Sequence, residues 1–322
     1  MSGGSSGANE LRFDGRVAIV TGAGSNPGLG RAHARLLASR GAKVVVNDLG
    51  VGSGAKGSAY GDAGAVAAEI VAAGGEAIAD QHDVAHEAGA KAIIQTAIDA
   101  WGRVDIVVNN AGSGVRASFE EMATHDIERL VRVHLMGGVW MCRAAWPHML
   151  AAGYGRIVNT TSGAMFGLPT STIYGAVKFG LFGMTRGLAL EGAPHDIKVN
   201  AVSPGAATNA LQRYDVEPDF LARYEVQYPP ELVSPAVAFL AHESCPVTGG
   251  LFDVGGGNVS ARLFGATTGH RNPALTIEDV RDNLDAVLDA STFSITTDPR
   301  APIVSRANQV ASALAPKPYQ PG

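Results

Sequence analysis

Tyr174 and Lys178 stand four residues apart in YGAVK, inside a run of helical spacing. Residues at that spacing share one helix face, a single turn apart. A free phenol titrates near 10 and carries protons poorly at neutral pH. An ammonium one turn away, with a bound nicotinamide cation, would favour the phenolate and bring the phenol toward the working range. A second stretch with chemical potential is TGAGSNPGLG, residues 21–30. It follows the β-branched run RVAIVT (16–21) and precedes a helical stripe of Ala32, Leu36 and Leu37 that stops at Gly41. Strand, glycine turn and helix is the setting in which unpaired N–H groups hold an anion. Gly22, Ser25, Gly28, Leu29 and Gly30 are the candidate phosphate contacts. A third element is Asp48, eighteen positions beyond Gly30 and just past a second apolar run. An acid there can accept both hydroxyls of an adenosine ribose.

These residues need a scaffold, and the chain supplies a repeating one. Apolar runs recur at 16–21, 43–47, 76–80, 104–108, 156–161, 197–202 and 251–254, with helical patterns at 29–40, 62–73, 87–100, 125–151, 174–191 and 231–241. Such alternation implies an α/β fold, a parallel sheet covered on both faces. The pattern predicts one doubly wound, Rossmann-type domain with a seven-stranded parallel sheet over residues 12–265, after a flexible tail at 1–11. Residues 266–322 form a C-terminal extension with one helix at 276–289, capped by Thr276 with Asp279. Little pattern remains in the last thirty residues. Ligands of such sheets bind beyond the carboxyl ends of the strands. Asp83-Val84, Asn109-Asn110-Ala111-Gly112, Ser162 and Pro204-Gly205 all follow strands there.

Composition removes several classes of function. The net charge of −5 and the lack of any Lys/Arg block argue against nucleic acid. No apolar stretch has the length of a membrane span. Cys142 and Cys245 are too few for a disulfide framework and read as small buried hydrophobes. The N-terminal MSGGSSGANE has no signal-peptide pattern and the final YQPG is no organelle address, so a cytoplasmic location is expected. His82 and His86 have the spacing of a zinc pair but straddle a strand–helix junction, so no metal is expected. Trp101, Trp140 and Trp146 read as core or interface.

Taken together, Thr21-Gly22 with Gly28-Leu29-Gly30, Asn109 to Gly112, Ser162, Tyr174 to Lys178 and Pro204-Gly205 resemble the short-chain dehydrogenases/reductases over nearly the whole chain. Within that family, VVVNDLG (44–50), VRVHLMGG (131–138), AHESC (241–245), GGLFDVGGG (249–257) and TIEDVRDN (276–283) are similar to the (3R)-hydroxyacyl-CoA dehydrogenase branch found in peroxisomal multifunctional enzymes of type 2. The resemblance implies an oxidoreductase that interconverts a secondary alcohol and a ketone by hydride transfer. A 3-hydroxyacyl-CoA or a steroid-like alcohol would be its substrate. It implies Tyr174 as acid/base, Lys178 lowering its pKa and holding the nicotinamide ribose, and Ser162 holding the substrate oxygen. Gly22, Gly28 and Gly30 would form the pyrophosphate turn. Asp83, with Val84, would meet the adenine, Asn110 with Ala111 and Gly112 would position the cofactor, and Thr208 after Pro204-Gly205 would meet the carboxamide.

Three departures from the family pattern matter. The turn has five residues, AGSNP, where T-G-x-x-x-G-x-G has three, and the two extra ones are expected to bulge at the rim. The family serine lies thirteen positions before the tyrosine, which is Thr161 here, yet counting from Gly155-Arg156 selects Ser162. The asparagine of the usual proton relay is His134, and the relay is thought to use that residue's main-chain carbonyl. NAD is expected rather than NADP, because Asp48 would repel a 2′-phosphate and AGSNP holds no Arg or Lys to bind one. Arg31 is expected to point along its helix. An enoyl reductase is the family rival, but it spaces Tyr and Lys seven apart and position 181 is Leu. A non-catalytic nucleotide-binding or scaffold protein is the rival from another class.

A homodimer or homotetramer is also expected. Glycines at 175, 180, 183 and 187 would weaken an exposed helix, at about 0.8–1 kcal/mol each relative to Ala. Phe179, Leu181, Phe182 and Leu188, with Leu135, Val139, Trp140 and Met141, spread apolar surface beyond one stripe.

Overall fold

The computed structural model describes residues 10–50, 61–209 and 217–295. Most of the tail at 1–11 and of the last thirty residues lies outside the described residues. Two compact units, 1–261 and 262–322, divide the chain.

In the first unit the seven apolar runs are strands: β1 (Val17–Thr21), β2 (Lys43–Asn47), β3 (Glu76–Asp80), β4 (Ile106–Asn109), β5 (Gly155–Thr160), β6 (Ile197–Gly205) and β7 (Leu251–Gly255). They lie parallel in the order β3-β2-β1-β4-β5-β6-β7. An eighth strand, β8 (Asn258–Ala261), adds antiparallel to β7. Its four residues are exposed and give no apolar run. The signal lay instead in Gly256 and Gly257, whose φ of 56° and 79° suit a two-residue hairpin turn. β8 belongs to this first unit, which ends at Ala261.

The helices are α1 (Leu29–Ser39), α2 (Ala63–Ala72), α3 (Glu87–Trp101), α4 (Thr124–Leu130), α5 (Gly137–Ala152), α6 (Thr172–Gly192), α7 (Pro218–Gln227) and α8 (Ser234–Ala241). Alternate residues of β1 feed two cores, as a pleated strand buried on both faces must. Ala18 and Val20 pack with Leu37 of α1 and Val237 of α8, whereas Val17 and Ile19 pack with Ile93 of α3 and Met141 of α5. Burying Leu37 or Ile19 completely contributes roughly 1.5–3 kcal/mol each. Strand order reverses between β1 and β4, so the crevice at their carboxyl ends is the expected ligand position.

Several elements differ from the sequence pattern. The helix expected over 125–151 is α4, a π-helical turn at Val131–Met136, and then α5. The stretch 206–230, which lies between the apolar run at 197–202 and the helical pattern at 231–241, contains α7, begun by Pro218 and capped by the Glu217 carboxylate at Phe220 N. On α6, Leu181 and Phe182 are buried within the chain itself, so they do not widen its open face. Met141 is likewise buried, whereas Phe179 is 43% exposed.

The second unit pairs β9 (Gly265–Ala266) with β10 (Ser294–Ile295) and carries α9 (Ile277–Asp282) and α10 (Leu284–Leu288). Thr276 caps α9 as expected, accepting from Asp279 N at 3.1 Å. The single helix at 276–289 is broken, however, at Asn283. Its side chain bonds back to the Asp279 carbonyl at 2.8 Å, and its backbone leaves the helical region (φ −115°, ψ 18°).

Candidate active site

At the end of β1, one hydroxyl organises the crevice. Thr21 Oγ1 accepts from the backbone N–H of Asn110 and of Ala111, both at 3.1 Å, and donates to the Val108 carbonyl at 3.3 Å. Asn110 returns the contact, its side-chain N–H groups reaching the Thr21 and Gly22 carbonyls at 2.9 and 3.0 Å. This lock requires glycine twice. Gly22 sits at φ 63°, and a Cβ there would stand 2.7 Å from Ala111 Cα. A Cβ on Gly30 would stand 2.5 Å from the Gly22 carbonyl oxygen. No side chain among the described residues caps α1 at Gly28, so the N–H groups of its first turn stay available to an anion.

The lengthened turn is exposed at Asn26 and Pro27, and it is tied on three sides. Asp48 accepts from Gly24 N at 2.9 Å, and Asp62 N donates to the Gly24 carbonyl at 3.1 Å. Asn209, beyond β6, donates from its side chain to the Asn26 carbonyl (2.9 Å) and from its backbone to that of Pro27 (3.3 Å). Asp48 is nearly buried at the end of β2, and burial raises its pKa against the opposing N–H bonds of Gly24 and Gly50. Arg31 is occupied by Glu69 of α2 at 2.7 Å. Asp83 turns the chain into α3 by accepting from Ala85 N at 2.8 Å, and the Val84 side chain packs beside Gly137. His82 is engaged by Asp80 at 2.9 Å.

Tyr174 and Lys178 project from the first turns of α6, and the Lys178 ammonium lies 5.6 Å from the Tyr174 ring centre. Lys178 is 3% exposed and donates to the Thr160 carbonyl at 2.6 Å. Burial pushes its pKa down to about 7. His134, in the π-helical turn, meets Tyr174 edge to face at 5.2 Å. Its Nε2 lies 2.7 Å from the Ser113 carbonyl and 3.0 Å from Ser113 N. Burial, with Lys178 adding repulsion, drives its pKa down to about 3, so the ring is neutral. A Cβ on Gly112 would stand 2.6 Å from that ring, so Gly112 makes room for it.

The two candidates for holding the substrate oxygen part company just beyond β5. Thr161 is buried and donates to the Val202 carbonyl at 2.8 Å. Ser162 is half-buried, accepting from Ala164 N at 3.2 Å, at the head of a short helical turn. Pro204 and Gly205 close β6 beside β7, and Thr208 lies half-buried in the loop that follows.

Sequence reasoning did not find the buried chain that fixes α6. Asn109 donates to Asn159 at 2.8 Å, Asn159 to Thr185 at 2.9 Å, and Thr185 to the Leu181 carbonyl at 2.9 Å. It links β4, β5 and α6 at Thr185, about two turns beyond Lys178. Its signal was there, an asparagine near the end of each of two apolar strands.

A glycine turn locked against a strand end, a buried lysine beside a tyrosine, and a serine at the next crevice position define a nucleotide-dependent oxidoreductase site. The model of the short-chain dehydrogenase family matches residues 16–218, and the chain belongs to that family. It is 42% identical over 292 residues to peroxisomal multifunctional enzyme type 2 of Mus musculus. The match covers 89% of this chain and 38% of that protein, so the chain spans about two fifths of this relative's length. It is also 42% identical over 278 residues to a short-chain type dehydrogenase/reductase of Mycobacterium tuberculosis, covering 86% of this chain and 95% of that one. Among solved structures, a 7α-hydroxysteroid dehydrogenase complexed with NADH and 7-oxo glycochenodeoxycholic acid superposes with a TM-score of 0.68 at 31% identity. That match covers 77% of this chain and 96% of the enzyme.

Proposed function

We propose that this chain is an NAD-dependent dehydrogenase of secondary alcohols whose substrates are (3R)-3-hydroxyacyl-CoA thioesters. The observation that carries the reading is Lys178, buried one turn from Tyr174 and aimed at the Thr160 carbonyl. Burying an ammonium costs several kcal/mol, and no structural need for it is evident here. The residues present fit the cofactor: no side chain among the described residues caps α1 at Gly28, which suits a pyrophosphate, and Asp48 at the end of β2 would accept ribose hydroxyls. When bound, NAD supplies the two-electron acceptor. Tyr174 takes the proton from the substrate hydroxyl, Ser162 holds that oxygen, and Lys178 favours the phenolate and holds the nicotinamide ribose. The carbonyl and imidazole of His134 belong to the same reactive face. Asp83, Val84, Asn110, Ala111, Gly112, Pro204, Gly205 and Thr208 complete the cofactor-binding set. NAD is favoured over NADP because Asp48 opposes a 2′-phosphate and Arg31 is held by Glu69.

We further read the protein as a homodimer or homotetramer built on α6. Nothing lies within 4 Å of where a Cβ would be on Gly183 or Gly187, and Phe179 and Leu190 are exposed on the same helix. No helix among the described residues is long and apolar enough to cross a membrane. The two buried free thiols fit a reducing cytoplasm, although the mouse relative carries a peroxisomal name. A panel of 3-hydroxyacyl-CoA esters and hydroxysteroids, assayed for NAD reduction, tests the substrate class. Turnover of the steroids alone would overturn the thioester assignment.

A further inference from the structure

The proposed reaction gives Asn26 and Pro27 of the lengthened glycine turn no role. They make contact across the crevice. The carbonyls of Asn26 and Pro27 accept from the side chain and backbone of Asn209 at 2.9 and 3.3 Å. At its other end the same loop is held by Ala207, whose N–H donates to the Tyr228 carbonyl at 2.7 Å. Thr208 therefore sits between two pinned residues. A turn with only three residues between Gly22 and Gly28 has no Asn26-Pro27 segment to offer. The lip itself is anchored at Gly24 by Asp48 and Asp62, so a pull on Asn209 acts against a fixed base.

We propose that Asn209 is a positioning residue for the cofactor, clasping the lengthened turn and joining the loop after β1 to the loop after β6. The inference rests on the reading of this crevice as the NAD site. One loop carries the phosphate-binding glycines and the other carries Thr208, so the clasp fixes the two halves of one binding site relative to each other. Bound NADH leaves slowly because these loops must separate. The side-chain bond is the part that substitution can remove, since the backbone bond persists in any variant but proline.

Stopped-flow fluorescence of NADH release tests this without turnover. Asn209→Ala and the shape-conserving Asn209→Leu should release NADH roughly three- to tenfold faster than wild type, the range expected for one lost hydrogen bond, with association changed less than about twofold. Replacing Ser25-Asn26-Pro27 by one alanine restores a three-residue gap, and in that background Asn209→Ala should have no further effect. Unchanged release in both folded single variants would overturn the clasp while leaving the NAD reading intact. So would an Asn209→Ala effect of equal size in the shortened background. A wild-type protein that binds no NADH would overturn both.

Discussion

The turn at Gly22–Gly30 and the reactive face around Lys178 sit on one sheet yet are built on opposite terms. In the turn, polar groups are spent on one another: Thr21, Asn110, Asp48 and Asn209 all bond to backbone. Glycines are placed where a Cβ would collide with that backbone. On the reactive face, Asn109 Oδ1, Ser113 Oγ, His134 Nδ1 and Thr160 Oγ1 are buried with no hydrogen-bond partner among the described residues. Lys178 and His134 are both driven away from their charged forms. Unsatisfied buried groups cost about 1–3 kcal/mol each, so this face gives up stability that the turn does not. On the proposed function the comparison teaches a division of labour: the binding half would be preorganised, and the reactive half would keep polar groups free for chemistry.

If the division holds, substitutions on the reactive face should cost turnover and spare binding. Tyr174→Phe should lower kcat by roughly two to four orders of magnitude in an NAD-reduction assay, while the Kd for NADH stays within a few-fold. Ser162→Ala should cost roughly two or more orders of magnitude in kcat. Thr161→Ala should instead lower Tm, because it removes a buried bond to the Val202 carbonyl. The reverse ranking of these two would show that spacing from Tyr174 is the better ruler.

Those two neighbours show what sequence can tell. Just beyond β5, the Thr161 hydroxyl is held by the Val202 carbonyl and Ser162 heads the next turn, so the two ways of counting select residues in different settings. Gly22, Gly30 and Asn110 were legible because a close backbone approach leaves little choice of residue. The partner of the lip was not legible, because Asn209 lies 183 residues from Asn26 and no local rule joins them. Nor was the π-helical turn, since apolar spacing over 125–151 is nearly the same for an unbroken helix. β8 was hidden because an exposed edge strand needs no apolar residues.

The turn should behave in the opposite way. Gly30→Ala forces a Cβ against the Gly22 carbonyl, and should weaken NADH binding by about tenfold or more, a loss of about 1.4 kcal/mol, read by titration. A smaller effect is expected from pH. Lys178 is held near 7 in the folded chain, against about 10.4 when free. Between those values the unfolded chain binds the extra proton, so stability rises as pH rises through that window. Denaturation of wild type and Lys178→Met should therefore diverge in favour of wild type, by on the order of 1 kcal/mol per pH unit at most. A difference independent of pH would remove Lys178 from the account of the strained half.

The central claim is that these two halves together oxidise a (3R)-3-hydroxyacyl thioester with NAD. Its most direct test is NADH formation by the wild-type protein from matched (3R)- and (3S)-3-hydroxyacyl-CoA, each with NAD and with NADP. The account predicts NADH from the 3R isomer, with NAD preferred by at least about tenfold, a gap of about 1.4 kcal/mol. No reduction of NAD by either isomer, in protein that demonstrably binds NADH, would contradict it.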